Sequence, residues 1–406
     1  MHTTFAAFSA PPFRFYFLAS CSATLGVWIV RFLLGWTVWT LTESAFWVGI
    51  ASAFLLAPTL VLSPLFGVLS DRIDPRTGVL CTAAANSVVC SAMAIAFISG
   101  AVSLPWTLTM ALAYGCITSA HHPMRLALIP KILSDDLLPS GIGLSAIVFN
   151  VARILGPALA AWLIYLAGTG VAFAVSAGLF LTTLVLLFNV PPIKVMPRDR
   201  SITVLTDLKA GLGFIRQAPL IRLVLVMTLI NGLLGRTVME LLPAISGQLA
   251  DGTAQSLAIL TAAAGVGSIA GGLLISRQHG DPAVISRLIF GALLLGALIL
   301  LPVVVLTGLT WLVPVMTLAS LCMTITGTGC QALLQLMVAD AYRGRVMSIW
   351  TVISMGSPAL GAFAMGYLAD ALGFGWTFGV FVAGALVATL VLMPQQRRFG
   401  EREAAP

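Results

Sequence analysis

Twelve apolar runs, separated by short polar gaps, follow one another along the 406 residues. They fall near 14–42, 46–70, 78–99, 104–130, 141–167, 170–190, 219–246, 255–276, 284–306, 311–337, 346–370 and 374–394. Crossing the hydrocarbon core of a bilayer takes about 20 apolar residues. Each run is too long for a barrel strand, and none alternates with period two. The pattern therefore predicts helices, since a helix satisfies its own backbone in lipid. Hydrophobic residues make up 59% of the chain and charged residues 9%. A water-facing globule carries roughly 25% charged residues, so the surface of this chain faces lipid.

Charge then orients the runs. The odd-numbered gaps, 43–45, 100–103, 168–169, 247–254, 307–310 and 371–373, contain no Lys or Arg. Of the 21 basic residues, Arg31, Arg125, Arg153 and Arg236 lie inside runs, and the other 17 fall in or beside the even gaps and the two ends. The positive-inside rule puts that basic side, with both termini, in the cytoplasm. The formal +7 is thus a topology signal and gives no reason to expect a nucleic-acid partner. Residues 1–12 have neither a basic n-region nor a small-residue cleavage site, so no removable signal peptide is expected. The six cysteines all lie within runs without CxxC spacing and read as small buried hydrophobes.

The longest polar gap, 191–218, holds five basic residues and one candidate amphipathic segment. Six runs precede it and six follow, which predicts an N-terminal bundle over 1–190, a cytoplasmic linker over 191–218 and a C-terminal bundle with a short tail over 219–406. The halves match at a near-constant offset. The stretch Gly67–Arg72 aligns with Gly272–Arg277 and Arg31 with Arg236, both at 205; Gly156–Ala161 aligns with Ser357–Ala362 at 201. Three matches in register with the run count indicate duplication. Two six-helix halves around a central cavity suit alternating access.

The chain resembles the major facilitator superfamily over nearly its whole length. Gly67-Val68-Leu69-Ser70-Asp71-Arg72-Ile73-Asp74-Pro75-Arg76 is similar to the cytoplasmic loop signature of that superfamily, departing from it at Asp74 and Pro75. Ala152–Ala161, with Arg153, Gly156 and Pro157, resembles the Gly-Pro motif of its antiporter branches, with Ala160-Ala161 where Gly-Gly is commoner. Arg343–Ser348 and Leu41–Gly49 are similar to the enterobactin-exporter-like efflux branch. The resemblance implies an all-α membrane fold of 12 transmembrane helices in two pseudo-symmetric bundles, which usually works as a monomer. It also implies a cavity lined by runs 1, 4, 7 and 10.

The same motifs carry chemistry of their own. A carboxylate at Asp71, beside Arg72 and Arg76 and following Gly67, can accept from a neighbouring helix start and pair with arginine. Such a cluster can latch one conformation; otherwise its arginines only fix topology. Pro75 weakens the latch, since proline removes a donor and stiffens the turn. Gly156 and Pro157 give either a hinge or seal, or ordinary tight packing. Intramembrane charges are costly in lipid and should face the bundle interior. Arg31, Arg125 and the pair Arg236 and Glu240 fall on runs 1, 4 and 7, and run 10 adds Gln331 and Gln335 one turn apart. Arg236 and Glu240 share a face at i, i+4 and form either a structural bridge or a site where substrate or a proton competes for Glu240. Arg153 suits a structural bridge to Asn150 or a neighbouring run. Arg125 either faces the cavity or snorkels, and Tyr114 and Gly115 stand where the antiporter pattern places an earlier arginine. His121 is either a proton relay or polar packing, and two adjacent histidines without a third ligand make no metal site. Asp370 and Glu43, at outer boundaries, read as caps.

Four interior arginines against one acid favour an anionic or acid-bearing amphipathic solute over a lipophilic cation. The expected function is proton-driven efflux of a siderophore or similar secreted metabolite through a bacterial inner (cytoplasmic) membrane, powered by the proton gradient without a cofactor. The alternatives are a multidrug efflux pump, an uptake permease and a non-transporting receptor on the same fold. No cluster of nucleophile, acid and base suggests an enzyme, and no G-x-x-x-x-G-K-[ST] loop suggests an ATP-driven pump.

Overall fold

A computed structural model describes residues 5–70, 73–193, 213–278, 281–338 and 340–397. The described residues are mostly helical and include no β-strand. The helices are α1 (Pro11–Thr42), α2 (Ala45–Ser70), α3 (Pro75–Ile98), α4 (Leu104–Ile132) and α5 (Leu138–Leu187). After the linker come α6 (Pro219–Asn231), a π-helical turn (Gly232–Arg236), α7 (Thr237–Glu240) and α8 (Leu242–Leu249). Then follow α9 (Ala254–Ser276), α10 (Pro282–Leu300), α11 (Leu309–Met337), α12 (Asp340–Leu372) and α13 (Phe374–Leu392).

Among the described residues, ten helical segments are long and apolar enough to cross a membrane. One is α5, whose 50 residues bend at Gly168 (φ 87°, ψ 168°). That backbone lies in the left-handed region, which glycine enters without the Cβ penalty, and it falls in the charge-free gap expected at 168–169. The 29-residue α4 is not among the ten. His121, His122, Arg125 and Lys131 lower its hydropathy, although its length suffices to cross.

Helix starts are set locally. Asp74 caps α3, its carboxylate accepting from Arg76 N (2.9 Å) and Thr77 Oγ1 (3.1 Å). Pro75 occupies the first turn, where an N–H would have no intrahelical partner anyway. The departure from the loop signature is therefore a helix-start device. Asp281-Pro282 repeats it 207 residues later, Asp281 accepting from Ala283 N (2.7 Å) and Val284 N (3.2 Å). Thr253 and Ser256 form a capping box at the start of α9.

By contact the chain divides into two compact units, Met1–Thr42 with Phe54–Arg200, and Glu43–Ala53 with Ser201–Pro406. The opening turns of α2 thus group with the second unit. Most of the expected linker, and its amphipathic segment, lie outside the described residues. In the first unit α1 packs along α5, and Phe13, Tyr16, Met124, Leu128, Leu144 and Leu187 form a buried cluster. In the second, α9 and α10 pack on α11 around residues such as Phe290, Met316, Leu333 and Leu334. Cys90, Cys322 and Cys330 are buried as expected, whereas Cys21 and Cys116 are half-buried and Cys81 is exposed.

Candidate functional site

In the first unit, Arg31 rides on α1 with its guanidinium carbon 5.7 Å from the centre of the Trp28 ring, one turn back. Trp28 meets Phe149 of α5 edge-on, with ring centroids 5.6 Å apart. This crossing depends on Gly156, where a Cβ would stand 2.6 Å from Trp28 Cβ and 3.3 Å from Ile29 N. Gly156 therefore serves close helix packing, and Pro157 beside it is buried in the same contact. Arg153 Nη2 donates to Asn150 Oδ1 (3.1 Å), the bridge expected from their spacing.

The α4 side chains divide between packing and polar contacts. Tyr114 is 1% exposed, and its hydroxyl donates to the Val27 carbonyl of α1 (3.4 Å). Gly115 seats α4 against α2, since a Cβ would overlap the Phe54 carbonyl. The positions where the antiporter pattern has arginine thus hold packing residues. Arg125 lies within electrostatic reach of the Tyr16 hydroxyl on α1. His121 is buried, with Nδ1 2.9 Å from Thr82 Oγ1 of α3. The Thr82 hydroxyl is also within 3.1 Å of the Gly78 carbonyl and 3.0 Å of the Val79 carbonyl. The Thr82 hydroxyl has one proton and three acceptors in reach, and the His121 tautomer decides which of Oγ1 and Nδ1 donates to the other. Thr82 was not among the expected site residues. Its signal was the i, i+4 spacing with Asn86, two polar residues on one face of an apolar run, both buried.

In the second unit, the expected seventh run is not one regular helix. The α-helical ladder of α6 gives way at Gly232 to a π turn ending at Arg236. Four residues of α7 follow and end at Glu240, and Leu241 (φ −93°, ψ 7°) leaves the helical region. Two sequence features account for this. Pro243 has no N–H to give the Met239 carbonyl, so the ladder cannot continue across 239–243. Gly232 presses on Ser357 of α12, where a Cβ would overlap the Ser357 hydroxyl. Thr237 Oγ1 donates to the Gly232 carbonyl five residues back (3.0 Å), stapling the π turn. Asn231 Nδ2 donates to the Met323 carbonyl of α11 (3.3 Å), and Ser52 Oγ donates to the Glu240 carbonyl (3.2 Å). Arg236 and Glu240 are both half-buried on this broken segment, at its two successive breaks. Single-turn π elements are frequent at functional sites.

The two glutamines of α11 separate. Gln331 is half-buried, while Gln335 is exposed and lines a cavity of about 480 Å³ with Ser276, Gln278, Ile285, Arg343 and Met347. Of the expected latch, Asp71 and Arg72 lie outside the described residues, and Gly67 is helical. Arg76 is bound at the end of α5, Nε donating to the Leu187 carbonyl (3.0 Å) and Nη2 to the Phe188 carbonyl (3.2 Å). A cation there meets the negative end of the helix dipole.

Discontinuous membrane helices are a recurring feature of transporter folds. A family model described as transmembrane secretion effector matches residues 2–405. The chain belongs to that family, within the major facilitator superfamily. It is 24% identical over 388 residues to the staphyloferrin A transporter of Staphylococcus aureus (strain NCTC 8325 / PS 47), covering 93% of this chain and 94% of the relative. It is 25% identical over 414 residues to the enterobactin exporter EntS of Citrobacter koseri, covering 98% of this chain and 95% of the relative. A point mutant of the nucleoside transporter NupG superposes with a TM-score of 0.73 at 12% identity, over 94% of this chain and 99% of that one. A bacterial homologue of the human lysosomal transporter Spinster gives 0.69 at 15% identity, over 96% of each. The chain is a multi-pass membrane transporter, and its relatives are transporters rather than enzymes.

Proposed function

We propose that this protein exports a small, acid-bearing amphipathic solute, such as a siderophore or secreted metabolite, in exchange for protons across the bacterial cytoplasmic membrane. The observation that carries the reading is the break at Gly232–Glu240. It leaves an arginine and a carboxylate half-buried in a segment of membrane-spanning length. Charge is retained at such depth where it meets substrate or protons. Solute and proton compete at this pair, so a proton arriving at Glu240 displaces the solute and couples proton entry to solute release. Arg31, Arg125 and His121 add cationic or protonatable groups in the first unit, and the glutamines of α11 add neutral donors in the second. The relatives named for staphyloferrin A and enterobactin favour the same class of solute.

The working topology is twelve crossings with both termini in the cytoplasm. Here α5 counts twice, divided at Gly168, and α4 crosses despite its polar residues. The protein acts as a monomer, with the proton gradient as its energy source and no cofactor. The Asp71 cluster, with Arg72, serves as a cytoplasmic latch.

The test uses inside-out vesicles energised acid-inside, a panel of siderophores, dyes and metabolites, and mass spectrometry of what accumulates. Protonophore-sensitive uptake of an acidic solute is expected. Uptake of cationic dyes alone, or accumulation unaffected by the protonophore, would overturn the anionic or the proton-coupled half of the reading respectively.

A further inference from the structure

The start of α2 is held by a residue 325 positions away. Asp370, near the end of α12, accepts from Ala45 N (2.8 Å) through Oδ1 and from Phe46 N (3.2 Å) through Oδ2. Ser44 Oγ donates to the same Oδ2 and accepts from Trp47 N (3.3 Å). The first three amides of α2, which have no intrahelical partner, are thus satisfied by one carboxylate and the hydroxyl it orients. Glu43, immediately before them, sits at φ 49°, a strained conformation for a residue with a Cβ. Below the cap the backbones touch. A Cβ on Gly49 would overlap the Ala362 carbonyl, and one on Gly366 would overlap the Ala45 carbonyl. Phe46 packs on Phe363 and Tyr367, with centroids 5.5 and 6.1 Å away.

These contacts explain why Glu43–Ala53 groups with the second unit while Phe54 onwards groups with the first, although α2 runs through without interruption. A transporter that alternates access moves its units relative to each other. One helix cannot keep all its contacts to two moving bodies, so one set must be made and broken. The outer set is built for that. Its backbones meet at Gly49 and Gly366, and the orphan amides of its first turn are all satisfied through one carboxylate.

We propose that Asp370 is a detachable cap: it holds the first turns of α2 on α12 in one access state and lets them go in the other. It is a positioning residue, acting on the access equilibrium through the α2 amides. Asp281 is the control, because it caps α10 with the same chemistry but from two and three residues away, where no movement between units can break it.

The test is the rate at which a maleimide modifies Val48→Cys, a fully buried position in the first turns of α2. It is read by peptide mass spectrometry on the full-length protein in nanodiscs. Asp370→Asn should raise that rate about tenfold, the scale of losing hydrogen bonds to a charged acceptor. Asp370→Glu should restore part of the protection. Asp281→Asn should lower the melting temperature comparably yet leave labelling at position 48 within about twofold. Should Asp370→Asn fail to fold, Ser44→Ala, which removes only the hydroxyl, decides by the same readout. Unchanged labelling in the cap variants, or an equal rise in Asp281→Asn, would overturn the proposal. The readout needs neither the solute nor the proton, so it stands or falls separately from the export reading.

Discussion

Arg31 and Arg236 occupy matching places in the two repeats, 205 residues apart, yet their helices differ. Arg31 lies on an unbroken 32-residue helix and rests over Trp28. Arg236 ends a π turn, with a helix break four residues later at Glu240. The crossings beside them use the same device with the roles exchanged. In the first unit the glycine is Gly156 on α5, against the bulky Trp28 of α1; in the second it is Gly232 at the π turn, against Ser357 of α12. A charge and a close glycine crossing recur in both units, while the backbone around them differs. The first repeat keeps its arginine on a scaffold, whereas the second places its arginine and glutamate at a break, where the helix already lacks regular bonding and can change shape at low cost.

The harshest test of the shared crossing is to fill it. Gly156→Val and Gly232→Val should each destabilise the protein by up to about 3 kcal/mol, the upper range for overpacking. The loss would appear as reduced yield of monodisperse protein and a lower melting temperature. If either variant behaves like wild type, the close approach at that crossing is not required.

The contrast between the arginines is sharpened by transport assays on the solute the vesicle panel identifies. Glu240→Gln and Arg236→Gln should abolish gradient-driven accumulation while expression stays normal. Arg31→Gln should keep gradient dependence and raise KM by roughly tenfold, as expected for losing one charge-assisted contact. Equal pH profiles for Glu240→Gln and wild type would place proton coupling elsewhere.

A smaller effect comes from restoring regularity to the second repeat. Pro243→Ala returns the missing N–H to the Met239 carbonyl and should stabilise the segment while slowing turnover several-fold. A variant with faster turnover would show that the break is not used in transport. The smallest effect belongs to Thr82→Val. It removes the hydroxyl partner of His121 Nδ1 and should cost about 1 kcal/mol of stability, read by thermal unfolding.

Hydrophobic runs, charge-free gaps and offset matches carried most of the fold class, because crossing lipid imposes a length and a composition on each segment whatever it packs against. The bend at Gly168 was legible for the same reason, a glycine in a gap without charge. Asn150 was one of the two partners the sequence offered Arg153, and it is bonded. The break at Gly232–Glu240 was not legible, although Pro243 and the two glycines nearby were visible. Whether Gly232 accommodates a π turn depends on Ser357, 125 positions away, fitting where a Cβ would otherwise stand. The partner of Arg76 was likewise hidden, since the carbonyls it meets at Leu187 and Phe188 are brought to it by the folding of α5 back onto α3.

Read alone, the chain was legible as a set of bilayer-crossing helices that carry a few charges inside their apolar runs. Only the tertiary structure decided which charges lie on regular helix and which at a break, and that the first turn of α2 is capped by Asp370. The physical reason is range. Burial in lipid is settled segment by segment, whereas an orphan amide, a helix dipole or a gap left by a missing Cβ is satisfied by whatever the fold brings within a few ångströms.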